Sequence, residues 1–309
     1  MNFLIHHKSQ YNKKGFTIIR NIFSKQEISN LMKELEIVKI KAEKKNNQFF
    51  HKTRDGKFNT IHNIHQFHTK GLIFNLSKKK KLKSLAKIIL NDIPVVRNIE
   101  FFLKPKKTGM PSPYHQDNYY WNIISAKALN VWIACSEANI NNGGICYLEG
   151  SHKLGTIKHE ASFAKGSSQK IPKRIISKLS FKINYPNLKP GDCIIHHPEV
   201  IHGSKKNKSN KNRVGFVISY KAKNSKIDKI GLSSYKNKLE KNLKKIRPLF
   251  NDMFDFERKL VKKSKIDPIQ FKNSIGYVLL RASLMDRWKV LCEFKDYPNM
   301  ISPLYVAPE

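Results

Sequence analysis

The chain has 309 residues, with 59 Lys and Arg against 23 Asp and Glu, a formal net charge of +36, and 4 cysteines. A chain of this length buries a full core and suits one large β domain with extensions, or two domains. No stretch is apolar for long enough to cross a bilayer and the opening MNFLIHHKSQ lacks the apolar run of a signal peptide, so the expectation is a soluble, cytoplasmic protein.

An excess of positive charge raises the question of nucleic-acid or anionic membrane partners. Here it is spread along the whole chain and is mostly lysine, with frequent asparagine, a pattern that biased codon usage also produces. No local basic stripe is interleaved with stacking aromatics, so a solvated basic surface ranks above a nucleic-acid site. Cys135, Cys146, Cys193 and Cys292 lack metal-like spacing and fall mostly in apolar segments. They read as buried free thiols of a reducing compartment.

In chain order, Gly15 to Arg20 predicts a first strand, and Ser24 with Glu27 predicts a capping box. Ile28, Leu31, Met32, Leu35 and Val38 recur at helical spacing, which predicts a long amphipathic helix over one face of a sheet. Residues 45 to 75 fit no single element, and the polar surroundings of their histidines look like loop. These residues contain His62, His65 and His68 at regular intervals, but no carboxylate or cysteine completes a metal set. Lys78 to Lys81 opens a helix whose buried side is Leu82, Leu85, Ala86 and Ile89. From Ile93 the chain is strand-rich: Pro94 to Lys104 alternates imperfectly, and Leu129 to Cys135, Cys146 to Leu148 and Cys193 to His197 are short apolar runs between Gly-containing turns. Many short strands with such turns predict a mainly β sandwich or jelly roll with flanking helices. Beyond about Ala222, Leu239, Leu243, Ile246 and Phe250, and then Tyr277 to Phe294, read as helical. The expected organisation is therefore a jelly-roll domain with N-terminal helices over 1–223, and a basic helical extension over 224–309 that packs on the core or forms a lid or dimer arm.

His115 and Asp117 in SPYHQDNYYW, His202 in EVIHGS and Arg213 further on carry the chemistry. Two imidazoles and a carboxylate fit one face of an octahedral ferrous ion, leaving adjacent positions for a bidentate cosubstrate and oxygen. Side chains at i and i+2 share a strand face, so His115 and Asp117 would grip one metal together, and Ser204 would share the face of His202. The rigid fork of Arg213 suits a dicarboxylate. If Arg213 faces inward, so do Gly215, Val217 and Ser219, which leave room for a cosubstrate, while Val214, Phe216, Ile218 and Tyr220 pack outward. The aromatic setting of Tyr114, Tyr119, Tyr120 and Trp121 argues against a plain surface triplet. Of His196 and His197, at most one can look into the site, and His152 reads as structural.

On YHQD (Tyr114 to Asp117), NVWIAC (Asn130 to Cys135), NNGGICYLEGSH (Asn141 to His152), KPGDCIIHH (Lys189 to His197) and HGSKKNKSNKNR (His202 to Arg213), the chain resembles the phytanoyl-CoA dioxygenase family of iron(II)- and 2-oxoglutarate-dependent oxygenases. The likeness covers most of residues 12 to 221. It departs at Glu149, where the family usually has proline. It implies a double-stranded β-helix of cupin type, with His115, Asp117 and His202 as iron ligands. Arg213 and Ser204 would meet the distal carboxylate of 2-oxoglutarate, and Trp132 would wall that pocket. Cofactors would be Fe(II), 2-oxoglutarate as cosubstrate and O2, and the reaction a hydroxylation with release of succinate and CO2.

The expected substrate is a small metabolite or natural-product intermediate, met by a rim of Gln116, Asn118, Tyr120 and Trp121. Two other readings stand beside it: a nucleic-acid-associated oxygenase, and a catalytically silent jelly-roll binding protein.

Overall fold

The computed structural model describes residues 3–238 apart from 46–48, 54 and 165–166. The expectations for Leu239, Leu243, Ile246, Phe250, Tyr277 to Phe294 and Cys292 lie outside the described residues. The first compact unit spans Met1–Tyr235.

Thirteen strands build three antiparallel sheets among the described residues. In chain order they are β1 (Phe16–Ile19), β2 (Phe50–Lys52), β3 (Phe58–Ile61), β4 (Pro94–Lys104), β5 (Ser112–His115), β6 (Ala128–Ala134), β7 (Ile145–Leu148), β8 (Glu160–Ala164), β9 (Ser167–Lys170), β10 (Ile183–Asn184), β11 (Cys193–His196), β12 (His202–Ser204) and β13 (Arg213–Ala222). A seven-stranded sheet runs β1-β11-β6-β13-β4-β3-β2 and a four-stranded sheet runs β10-β7-β12-β5, while β8 and β9 form a hairpin. Many neighbours in the two larger sheets, such as β1 with β11 and β5 with β12, are distant in sequence, which is the jelly-roll solution to bringing remote residues to one end.

α1 (Phe3–Lys14) precedes β1 and α2 (Lys25–Glu43) follows it, and α3 (Leu72–Leu76) and α4 (Lys80–Leu90) follow β3. Ser24 caps α2 as expected: its Oγ accepts from the Glu27 amide at 3.1 Å, and Glu27 Oε2 accepts from the Ser24 amide at 2.8 Å. Ser24→Ala is expected to cost about 1 kcal/mol, read as a lowered midpoint of urea unfolding. α2 buries Ile28, Leu31, Leu35, Val38 and Ala42, while α4 buries Leu82, Leu85, Ala86 and Leu90. Both stripes pack on the outer face of the large sheet, where Phe101 (β4), Val131 and Ile133 (β6), and Phe216, Ile218 and Tyr220 (β13) form the main core. Met32 and Ile89, expected in those stripes, are only half-buried.

The inner face follows from the period of the strands. Val214, Phe216, Ile218 and Tyr220 point to the helices, so Arg213, Gly215, Val217 and Ser219 face the small sheet, with Trp132, Tyr147, Ile194 and Val217 in a second cluster between the sheets.

Two local expectations are corrected. Residues 45 to 75 are not simply loop: β2 and β3 lie there, β3 joining the edge of the large sheet through Thr60 opposite Phe102 and Ile61 opposite Phe101. The short strands are too brief for a period-two pattern to show. Asp117 is also not on a strand, because β5 ends at His115 and Asp117 has αR backbone angles (φ −65°, ψ −34°) at the entrance of α5 (Asn118–Trp121).

Candidate active site

β5 and β12 pair so that His202 stands directly opposite His115. Their rings lie 4.3 Å apart by centroid. Asp117 Oδ1 is 3.7 Å from His115 Nε2 and 3.7 Å from His202 Nε2. Among the described residues these three form the group whose ligand atoms converge within 4.8 Å of one another.

Each side chain presents the correct atom for a reason. His115 Nδ1 lies 2.8 Å from the Pro113 carbonyl and His202 Nδ1 3.0 Å from the Val200 carbonyl. A carbonyl only accepts, so each Nδ1 carries the proton and each Nε2 keeps its lone pair for the centre. Burial, then the neighbouring His202, push the His115 pKa down to about 4, and burial lowers that of His202. Both rings are therefore neutral near pH 7.

The Asp117 carboxylate is oriented from behind. Its Oδ2 accepts from Asn130 Nδ2 at 2.6 Å and from His196 Nε2 at 3.2 Å, which leaves Oδ1 for the centre. Ser219 Oγ donates to Asn130 Oδ1, and His196 Nδ1 meets the Tyr147 hydroxyl at 3.0 Å. Asn98, Ser219, Asn130 and His196 are cross-strand neighbours, so this support is one row across four strands of the large sheet. Burial raises the Asp117 carboxyl, but His202, His196 and His115 around it hold it well below the usual carboxylate range.

Further along the same face lies a cationic subsite. Arg213 is 3% exposed, donates from Nη1 to the Phe102 carbonyl at 3.1 Å and from Nη2 to the Gly143 carbonyl at 3.0 Å, and has a buried Nε with no partner among the described residues. Its Cζ is 5.6 Å from the centre of the Trp132 ring. Lys104 stands opposite it in register and donates from Nζ to Ser204 Oγ at 2.7 Å and to the Lys205 carbonyl. Burial, then the Arg213 charge, lower the Lys104 pKa well below its ordinary value, and burial pushes Arg213 down to about 9. Two buried cations with an orphaned donor and no carboxylate partner among the described residues suit a dianion, whose arrival would reverse both penalties.

Two glycines make room there. Gly143 has φ +75° and a Cβ on it would lie 2.6 Å from the Lys205 carbonyl and 2.8 Å from Lys104 Cδ. A Cβ on Gly215 would lie 2.2 Å from the Trp132 ring. Gly215→Ala is expected to destabilise the fold by about 1–3 kcal/mol and to weaken 2-oxoglutarate binding, measured by chemical denaturation and by titration calorimetry.

The rim differs in part from expectation. Gln116 is fully buried, donates to the Gly155 and Glu199 carbonyls and accepts from the Ile157 amide, so its amide is committed to fixing loops. Asn118 likewise bridges both ways to Ile123. Tyr120 does approach the centre, its ring 6.0 Å from that of His115, and its hydroxyl donates to the Gln169 carbonyl at 3.0 Å. Tyr235, from the helix beginning at 229, adds an aromatic neighbour 5.9 Å from both Tyr119 and Tyr120. His197 faces away from the site and lies beside His152 and Tyr11. His62 pairs with Glu100 and His68 with Glu34, and His65 is paired with neither. Cys135, Cys146 and Cys193 are buried and free. No helix among the described residues is long and apolar enough to cross a membrane.

The sequence reading missed Lys104 and Asn130 as site residues, and of His196 and His197, between which it left the choice open, His196 is the one that faces the site. Asn130 had a signal, a lone amide in an otherwise apolar strand; the role of Lys104 depends on cross-strand register.

A family model described as phytanoyl-CoA dioxygenase matches residues 11–215. Among curated relatives, phytanoyl-CoA dioxygenase domain-containing protein 1 of Bos taurus is 26% identical over 159 residues, covering 50% of this chain and 54% of its own. The chain thus spans about half the length of that relative. A probable alpha-ketoglutarate-dependent hypophosphite dioxygenase of Stutzerimonas stutzeri is 24% identical over 224 residues, 69% of this chain and 77% of its own. Among solved structures, EctD from S. alaskensis with 2-oxoglutarate and 5-hydroxyectoine gives a TM-score of 0.60 at 19% identity, covering 72% of this chain and 77% of that one. The epimerase SnoN in complex with Fe3+, alpha ketoglutarate and nogalamycin RO gives 0.59 at 17% identity, covering 75% and 88%. At such identities the structural likeness is one of fold.

Proposed function

The chain belongs to the phytanoyl-CoA dioxygenase family, and from that premise we propose that it is an iron(II)- and 2-oxoglutarate-dependent dioxygenase that hydroxylates an unactivated carbon of a small molecule. The observation that carries this reading is the convergence of His115 Nε2, Asp117 Oδ1 and His202 Nε2, with every other polar atom of those side chains held elsewhere or turned away. The donor set fits ferrous iron, two neutral imidazoles and one carboxylate leaving the remaining positions open. Iron held there supplies the redox chemistry that couples decarboxylation of 2-oxoglutarate to oxygen activation: one cosubstrate, one O2 and one substrate C–H yield succinate, CO2 and the alcohol.

The chain's own residues set the conditions. Neutral His115 and His202 and ionised Asp117 offer three lone pairs at neutral pH without first losing a proton. Asn130 and His196 keep Oδ1 aimed at the centre, which spares reorganisation when the ion enters. Arg213 and Lys104 would hold the far carboxylate of the cosubstrate, with Ser204 tying Lys104 to β12 and Trp132 as the wall.

The test is succinate formation from 2-oxoglutarate with ferrous iron, ascorbate and oxygen, across amino acids, betaines, phosphonates and acyl-CoAs. Substrate-dependent succinate with an equal amount of hydroxylated product is expected. No succinate over the whole panel would instead favour a silent binding protein.

A further inference from the structure

β4 breaks register with β13 between Val96, which stands opposite Tyr220, and Asn98, which stands opposite Ser219. Arg97 is the extra residue, and such a β-bulge beside a site re-aims a side chain. The guanidinium lies over the ring of Trp121, with Cζ 4.4 Å from its centre. Trp121 ends the short helix that Asp117 begins, so this stack stands beside the metal-ligand group. Arg97 senses the charges of Glu100 and Asp117, yet among the described residues no carboxylate reaches ion-pair distance and no group hydrogen-bonds it. One face of the fork is stacked and its N–H edge is free.

A second observation points to the same place. His62 Nε2 and His65 Nδ1 are buried without a partner among the described residues. His62 binds Glu100 through its other nitrogen at 2.8 Å, and His65 senses both Glu100 and Arg97. Buried polar atoms are nearly always satisfied, so two orphaned imidazole nitrogens near an unpaired guanidinium mark the berth of a polar ligand.

The cosubstrate does not explain it. Lys104 and Arg213 meet at the far end of β4, roughly 20 Å from Arg97 at about 3.3 Å per residue, beyond the reach of a short diacid. Nor do the nearby carboxylates cancel the charge in the loaded protein, since Asp117 would face a dication and Glu100 is bonded to His62.

We infer that Arg97, stacked on Trp121, binds an oxyanion group of the substrate, a carboxylate or a phosphonate, and so selects small anionic molecules. This rests on the oxygenase reading and names its substrate class. The neighbouring carbon of the bound molecule then faces the metal-ligand group, while His62 and His65 offer hydrogen bonds to its other polar atoms.

Titration calorimetry without oxygen tests it, on protein carrying ferrous iron and saturating 2-oxoglutarate. The probes are phenylacetate, benzylphosphonate and the neutral phenylacetamide, each against wild type, Arg97→Gln and Arg97→Lys. At least one anion should bind about tenfold or more tightly than phenylacetamide. Arg97→Gln should erase that preference, and Arg97→Lys, which keeps the charge but loses the fork, should retain part of it. Which anion gains more separates carboxylate from phosphonate. No preference for either anion in the wild type, or a preference that survives Arg97→Gln, overturns the inference. Uptake of iron and 2-oxoglutarate is recorded first: failure of that uptake with an Arg97-dependent anion preference sinks the oxygenase reading alone, whereas normal uptake with no preference sinks this inference alone.

Discussion

Asp117→Ala is expected to abolish retention of ferrous iron and, with it, succinate formation. Oδ1 is 3.7 Å from both imidazole Nε2 atoms, so its removal leaves two neutral donors and no anionic one. Loss of a partner that merely supports a metal ligand typically costs about 10–100-fold in affinity or activity, and loss of the ligand should exceed that. The substitution also strands Asn130 Nδ2 and His196 Nε2, which now bind Oδ2 at 2.6 and 3.2 Å, at a cost of about 1–3 kcal/mol for a buried unsatisfied group. Metal content after dialysis, succinate yield and melting temperature separate the two effects. Asp117→Asn keeps the shape and the contact surface but not the charge. It should melt closer to wild type and still fail to form succinate. Wild-type hydroxylation by either variant would contradict the ligand assignment.

Arg213→Ala is expected to act mainly on cosubstrate capture. A charged hydrogen bond contributes about 1.5–3 kcal/mol, and about 1.4 kcal/mol is tenfold, so loss of the fork should raise the KM for 2-oxoglutarate by about 10–100-fold with a smaller change in kcat. The Phe102 and Gly143 carbonyls lose their donors as well, and some stability should go with them. Lys104→Ala provides the comparison. It removes the second cation and frees the Lys205 carbonyl but leaves the Phe102 and Gly143 carbonyls paired, so its KM should rise while its melting temperature moves less. Unchanged KM values in both variants would show that the dicarboxylate binds elsewhere.

Much of this architecture was readable from side-chain periodicity. The outward run Val214, Phe216, Ile218, Tyr220 and the inward run from Arg213 to Ser219 alternate without interruption, because β13 is paired on both sides and buried on both faces. The Ser24 cap and the stripe on α2 were equally plain, since both depend on residues within a few turns of one another. The imperfect alternation of Pro94 to Lys104 had a cause that only the partner strand reveals: the bulge at Arg97 resets the phase halfway along β4.

His115 and Asp117 meet for a different reason than strand alternation supplies. The chain leaves β5 at His115 and turns into α5, and the hydrogen bonds from Asn130 and His196 orient the Asp117 carboxylate towards the two rings. Lys104 was hidden for a similar reason. In a chain with so many lysines nothing local distinguishes it, and its role follows from standing opposite Arg213 and reaching Ser204. The rim residues Gln116 and Asn118 were misread because their polarity serves the loops around Gly155, Ile157 and Ile123. Long-range satisfaction of buried amides leaves no trace in a linear pattern.

A structure of the protein crystallised with ferrous iron and 2-oxoglutarate in the absence of oxygen tests the central claim most directly. The account predicts one ion bound by His115 Nε2, Asp117 Oδ1 and His202 Nε2, with the distal carboxylate of the cosubstrate on Arg213 and Lys104. An ion held by other side chains, or a cosubstrate whose far carboxylate lies away from both cations, would contradict it.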